Sequence, residues 1–72
     1  MAVELANHVH EMYNSEKNST ARLRFIDKAT QIALANEKYL LCRKYLASNP
    51  NLCEEARDIL MEGKANSVKL NL

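Results

Sequence analysis

The chain has 72 residues and a net charge of +1; 26% of its residues are charged, 47% are hydrophobic, and it holds one Gly and one Pro. So short a chain makes one small domain, burying only about 60% of the surface its unfolded form exposes. The charge balance excludes a strongly electrostatic nucleic-acid binder and an acidic DNA mimic, and the apolar fraction excludes an intrinsically disordered chain.

No run approaches the roughly 18 apolar residues of a membrane span. The N-terminus carries Glu4, His8, His10 and Glu11, without the basic start and apolar stretch of a signal peptide. Cys42 and Cys53 are too few and too unpatterned for a disulfide framework. The expected location is cytoplasmic.

Helical periodicity dominates the chain and strand signals are absent. Leu5, Ala6, Val9, Met12 and Tyr13 form one apolar stripe, predicting a first helix over about 2–14. Asn14 to Thr20 holds no apolar residue and reads as a connecting loop, with Ser19 or Thr20 as the cap of the next helix. A second helix is predicted to Ala35, its stripe formed by Leu23, Ile26, Ala29, Ile32 and Ala33, with Phe25 and Leu34 at its sides. Asn36 interrupts, and a third helix carries Tyr39, Leu40, Leu41, Tyr45 and Leu46; the pattern leaves open whether these are two helices or one bent one. Ser48-Asn49-Pro50-Asn51 ends it, because proline disfavours the α conformation before it and cannot continue the ladder. Asn51 is expected to cap a fourth helix with Glu54 at the capping-box position, the stripe Leu52, Ala56, Ile59 and Leu60, and a left-handed stop at Gly63. Asn66 or Ser67 then opens a short final segment over Val68–Leu72.

Shifting the chain by 26 residues lays Ile26 on Leu52, Ala33 on Ile59, Leu34 on Leu60, Lys38 on Lys64, Arg43 on Lys69 and Leu46 on Leu72. Apolar positions fall on apolar positions across a helix-turn-helix unit, as in helical solenoids. The stretch from Leu41 to Leu52, with its Tyr45-Leu46-Ala47-Ser48-Asn49-Pro50-Asn51-Leu52 core, resembles the leucine-rich repeat variant unit, a HEAT-like α-helical repeat. The likeness covers residues 36–72, where Ile59-Leu60-Met61-Glu62 and the segment from Ser67 to Leu72 resemble the beginning of a next unit. The family's period is shorter than 26 and the residues before Arg22 do not match. The resemblance implies a scaffold for binding and no reaction.

Candidate chemistry is sparse. His8 and His10, two apart, point to nearly opposite sides of a helix and cannot share a metal ion there. Cys42 and Cys53, 11 apart, read as small apolar side chains. There is no Gly-rich phosphate loop and no Ser-His-Asp pattern, and Glu54, Glu55 and Asp58 suit the positive end of a helix dipole. No enzyme activity, cofactor or metal is expected.

The expectation is therefore an all-α domain over 1–72: a small bundle or short right-handed array of four to five helices in helix-turn-helix pairs. Residues 1–19 form an N-terminal helix and loop, and 20–72 the repeat-like pairs. The apolar surplus points to a non-enzymatic protein–protein interaction module, an adaptor or an inhibitor of a larger protein, with Phe25, Tyr39, Arg43 and Tyr45 as contacts. The Asn-rich, Gly-poor composition suggests a bacterial or phage accessory protein. The alternative is a small nucleic-acid-binding regulator using Arg22, Arg24, Lys28, Arg43 and Lys44 on phosphates. A homodimer that completes its own core is the third reading.

Overall fold

The computed structural model describes residues 6–63 and 66–72. Residues 6–8 are helical and run into a single 3-10 turn, Val9–Glu11, whose Val9 is buried. Five α-helices follow: α1 (Asn14–Ala21), α2 (Lys28–Ala35), α3 (Leu40–Ala47), α4 (Glu54–Glu62) and α5 (Asn66–Lys69). The described residues contain no strand, so the domain is all-α, as its periodicity predicts. The first part of the expected N-terminal helix, with Leu5, and Lys64 of the shifted alignment lie outside the described residues.

α1 occupies the stretch expected to be a loop. It forms without an apolar stripe because its polar side chains supply what the stripe normally would. The Glu16 carboxylate accepts from the Tyr13 backbone N–H at 3.0 Å, closing the helix start. Ser19 and Thr20 do not cap the following helix: their hydroxyls donate back to the Ser15 and Glu16 carbonyls at 3.1 and 2.8 Å. Lys17, Thr20 and Ala21 are the residues α1 buries.

The second helix is correspondingly shorter than its sequence pattern suggests. Residues 22–27 are a connection, and α2 begins after Asp27, which accepts from the Thr30 N–H at 2.9 Å and the Thr30 hydroxyl at 2.6 Å. Partial burial pushes the Asp27 carboxyl up, but these Thr30 bonds outweigh it and hold the group below its ordinary range. With Leu23 and Ile26 outside the helix, the buried stripe rotates. Thr30, Gln31, Leu34 and Ala35 face inward while Ala29 is exposed, so Leu34 is the centre of the stripe rather than its side.

Asn36 does separate two helices, its side chain donating back to the Ile32 carbonyl at 2.9 Å. Further on, Asn51 is not the cap of α4. Its N–H is taken by Asn49 Oδ1 and its side-chain amide by the Arg24 carbonyl; residues 50–51 form a turn, and the extended Cys53 is the residue that precedes α4. Gly63 ends α4 at φ −68° and ψ 160°, in extended rather than left-handed backbone. α5 starts at Asn66.

Helix starts recur at 14, 40 and 66, and at 28 and 54, which is a spacing of 26 residues in both series. Packing follows the same alternation: α2 lies mainly against α4, then against α3 and the N-terminal turn, and α3 lies between α1 and α5. Two layers result, with the core between them made by Val9, Ala21, Leu34, Cys42, Leu46, Ala56, Leu60 and Val68. Ala21 and Ala47 occupy equivalent places at the ends of α1 and α3, where small side chains let neighbouring segments come close. The six-residue connections 22–27 and 48–53 meet side by side at one end of the layers.

The rotated stripe of α2 gives a direct check. Leu34→Ala should cost about 2–5 kcal/mol in urea unfolding, whereas Ala29→Lys should change stability by no more than about 0.5 kcal/mol. The reverse order would restore the phase that includes Leu23 and Ile26.

Candidate functional site

Seven large apolar side chains are exposed among the described residues, and the connection between α1 and α2 carries two of them, Leu23 and Phe25, beside two exposed arginines. Its backbone is fixed by the neighbouring connection. Asn49, itself buried, donates from its side-chain amide to the carbonyls of Ala21 and Leu23 at 2.9 and 2.8 Å. Asn51 holds the Arg24 carbonyl in the same way. Behind them Gln31 donates to the Ile26 and Asn51 carbonyls at 3.0 and 3.1 Å, and its oxygen accepts from the Cys53 N–H at 2.7 Å. Buried or half-buried amides paired at both ends are stiff, because breaking one leaves a polar group without water or partner.

On this fixed backbone the side chains point outward. Phe25 is 85% exposed and Leu23 49%. The Arg24 guanidinium lies over the Phe25 ring at 5.6 Å, and Arg22 lies over the Tyr45 ring of α3 at 5.0 Å. Phe25 also borders a shallow groove with Arg24, Ile26, Asp27 and Asn51. The 26-residue spacing sharpens the contrast: Leu23 and Phe25 occupy the places that Asn49 and Asn51 occupy in the next connection. Where the second loop carries its structural amides, the first carries apolar groups in water.

The four expected partner contacts do not form one face. Tyr45 lies under Arg22 near the end of α3, whereas Phe25 lies under Arg24, so the two rings are met by different arginines of the same connection. Tyr39 precedes the start of α3, about 9 Å along the axis from Tyr45. It is half-buried, and its hydroxyl accepts from Asn18 Nδ2 at 3.5 Å. Arg43 is half-buried beside Gly63, with its Nε enclosed and without a hydrogen-bond partner among the described residues.

The basic set is divided in the same way. Arg22 and Arg24 are exposed, Lys44 is half-buried, and Lys28 pairs with Glu55 at 2.8 Å. That contact raises the Lys28 ammonium, chiefly through the Glu55 hydrogen bond, and lowers the Glu55 carboxyl through the same bond. Both groups are solvated, so the pair is screened by salt.

A second depression of about 410 Å3 lies at the opposite end, lined by His10, Asn14, Lys17, Asn36, Glu37, Lys38 and Tyr39. Its floor is the Lys17–Glu37 ion pair, whose side chains are only 10% and 14% exposed. The two charges neutralise each other and tie α1 to the turn between α2 and α3, a structural use that accounts for both. Cys42 sits nearby in the core, its thiol against the Lys17 carbonyl at 3.8 Å. Burial, with Glu37 adding to it, pushes that thiol up to about 11. It is therefore protonated at neutral pH and a poor nucleophile. No group of three His, Cys, Asp or Glu residues suited to a metal ion occurs among the described residues. Nor is any described helix long and apolar enough to cross a membrane.

Sequence reasoning placed Leu23 in a stripe and so missed it as a surface group. It also missed the amide ladder of Gln31, Asn49 and Asn51, although two asparagines flanking Pro50 were a visible signal. No family model matches the chain, and no curated protein or solved structure matches it.

The two cysteines should separate cleanly by reactivity. At pH 8 a thiol reagent should modify the half-buried Cys53 in the folded protein and reach Cys42 only after denaturation. Equal rates for both thiols would show that α3 does not seal Cys42 in the core.

Proposed function

We propose that this chain is a non-enzymatic protein–protein interaction module, an adaptor or an inhibitor of a larger protein, with the Leu23–Phe25 segment as its anchor. One observation carries the reading: Phe25 is almost wholly exposed on a loop whose carbonyls are held by Asn49 and Asn51. An apolar side chain in water gains on being covered, and a backbone already fixed loses little entropy when that happens. Aromatic and arginine groups together are the residues that most often dominate binding energy. Arg22, Arg24, Phe25 and Tyr45 are such a set.

The stacked helical pairs and their 26-residue spacing support the same reading, since arrays of this kind serve as binding scaffolds. The resemblance of residues 36–72 to the leucine-rich repeat variant unit belongs to this proposal and adds no reaction. A cytosolic setting, where thiols stay reduced, suits the free Cys42 and Cys53. The nucleic-acid alternative relies on the same two exposed arginines, but Lys28 is engaged by Glu55.

The test is affinity capture with tagged wild type and with the Leu23→Ser/Phe25→Ser variant, each with and without nuclease. The variant should keep the melting temperature and lose a captured protein about thirtyfold, a loss of ~2 kcal/mol. Tyr39→Phe should capture it as wild type does. Capture that survives the loop variant, or that vanishes with nuclease, would remove the reading.

A further inference from the structure

We propose, building on the interaction-module reading, that the loop's partner is a second copy of this chain, docked through the outer face of α4. That face is the chemical complement of the loop. Glu54, Asp58 and Glu62 repeat every four residues and form one exposed row. Met61 stands within the same face, half exposed, while Ala56 and Leu60 point into the core on the other side. None of the three acids has a basic partner among the described residues, and neither Arg22 nor Arg24 has an acidic one. Arg57 is the single basic residue of α4 and sits at the edge of the row, three residues from Glu54.

The chain thus carries a basic apolar projection, at Arg22, Arg24 and Phe25, and an acidic row with a methionine at its side; Lys28 and Glu55 already pair across the two segments within one molecule. The charge segregates along the sequence as well. Residues 22–28 hold Arg22, Arg24 and Lys28 against Asp27, and 54–62 hold Glu54, Glu55, Asp58 and Glu62 against Arg57. Opposite patches of this kind attract across an interface and set its register. Phe25 would meet the Met61 thioether, a favourable sulfur–aromatic contact, with the arginines over the acidic row.

Geometry also favours closure. The loop is hydrogen-bonded to Asn51, and α4 starts three residues later, so the loop lies beside the Glu54 end of α4, with Met61 about 10 Å further along the helix axis. A two-fold rotation about an axis between the loop and α4 places each loop on the other copy's α4, satisfying both contacts at once. A standard interface takes about 800 Å2 from each partner, roughly a sixth of the 4858 Å2 that the chain exposes.

The experiment is sedimentation equilibrium of the full chain over a dilution series from about 1 µM to about 1 mM, at low and high salt. Wild type should reach twice the monomer mass, with association weakened about tenfold between roughly 0.05 and 0.5 M salt. Arg22→Glu/Arg24→Glu and Asp58→Lys/Glu62→Lys should each be monomeric alone, because each puts like charges at both contacts. Mixed together they should form a heterodimer, which also shows that both are folded. A wild type that stays monomeric at about 1 mM and low salt overturns the proposal, as does association that neither variant changes. If the wild type is monomeric while Leu23→Ser/Phe25→Ser still abolishes capture of another protein, only the second-copy assignment falls.

Discussion

The amide ladder between the two six-residue connections is the constraint on which the rest of the structure depends. Asn49 reaches across from the second connection to the carbonyls of Ala21 and Leu23, where α1 ends. A helix end needs partners for its last carbonyls, and α1 finds one of them in a residue 28 positions away. Gln31 does the complementary task from α2, holding the Cys53 N–H where α4 begins. One cluster of three amides thus terminates one helix, positions the start of another and sets the spacing between successive helical pairs. Pro50 helps by keeping the chain after Asn49 out of the helical ladder, which frees that side chain to reach outward.

The same economy appears at the other end of the layers, where α1 has no apolar stripe to bury. Lys17 and Glu37 are enclosed as a pair, and their mutual attraction offsets the cost of taking both from water. Thr20 and Cys42 are buried too, the Thr20 hydroxyl bonded to the Glu16 carbonyl at 2.8 Å and the Cys42 thiol set more weakly against the Lys17 carbonyl at 3.8 Å. A chain of 72 residues has few large apolar groups to spare. That makes the exposure of Leu23 and Phe25 informative. Of the seven large apolar side chains exposed among the described residues, these two stand on a loop whose carbonyls are held by hydrogen bonds from Asn49 and Asn51.

How much of this was legible in the sequence varied with the kind of signal. The all-α class, α3 and the start of the last helix near Asn66 followed from periodicity and punctuation, while the pattern around Asn36 left open the choice between two helices and one bent helix that the structure decides for two. α4 was legible through Ala56, Ile59 and Leu60, whose spacing is helical and whose burial the structure bears out in grade. α1 was not legible, because a helix that buries a lysine and a threonine carries no hydrophobic period. The phase of α2 went astray for a related reason: Leu23 and Ile26 fit a helical spacing but lie in a turn set by Asn49, which no local pattern reveals. Asn51 and Gly63 were misread through their usual roles: hydrogen bonds with Asn49 and Arg24 engage Asn51 instead, and Gly63 takes extended backbone. Of the expected contacts, Phe25 could be named from its chemistry alone, while its separation from Tyr39 required the fold.

The central claim, that Asn49 secures the connection carrying Phe25, is tested most directly by urea unfolding of Asn49→Ala. Removing the side chain leaves the Ala21 and Leu23 carbonyls without their donor, and Ala21 is fully buried. The account predicts a loss of about 2–4 kcal/mol, a large part of what so small a domain possesses. A loss below about 0.5 kcal/mol, in the range of an ordinary surface substitution, would contradict it.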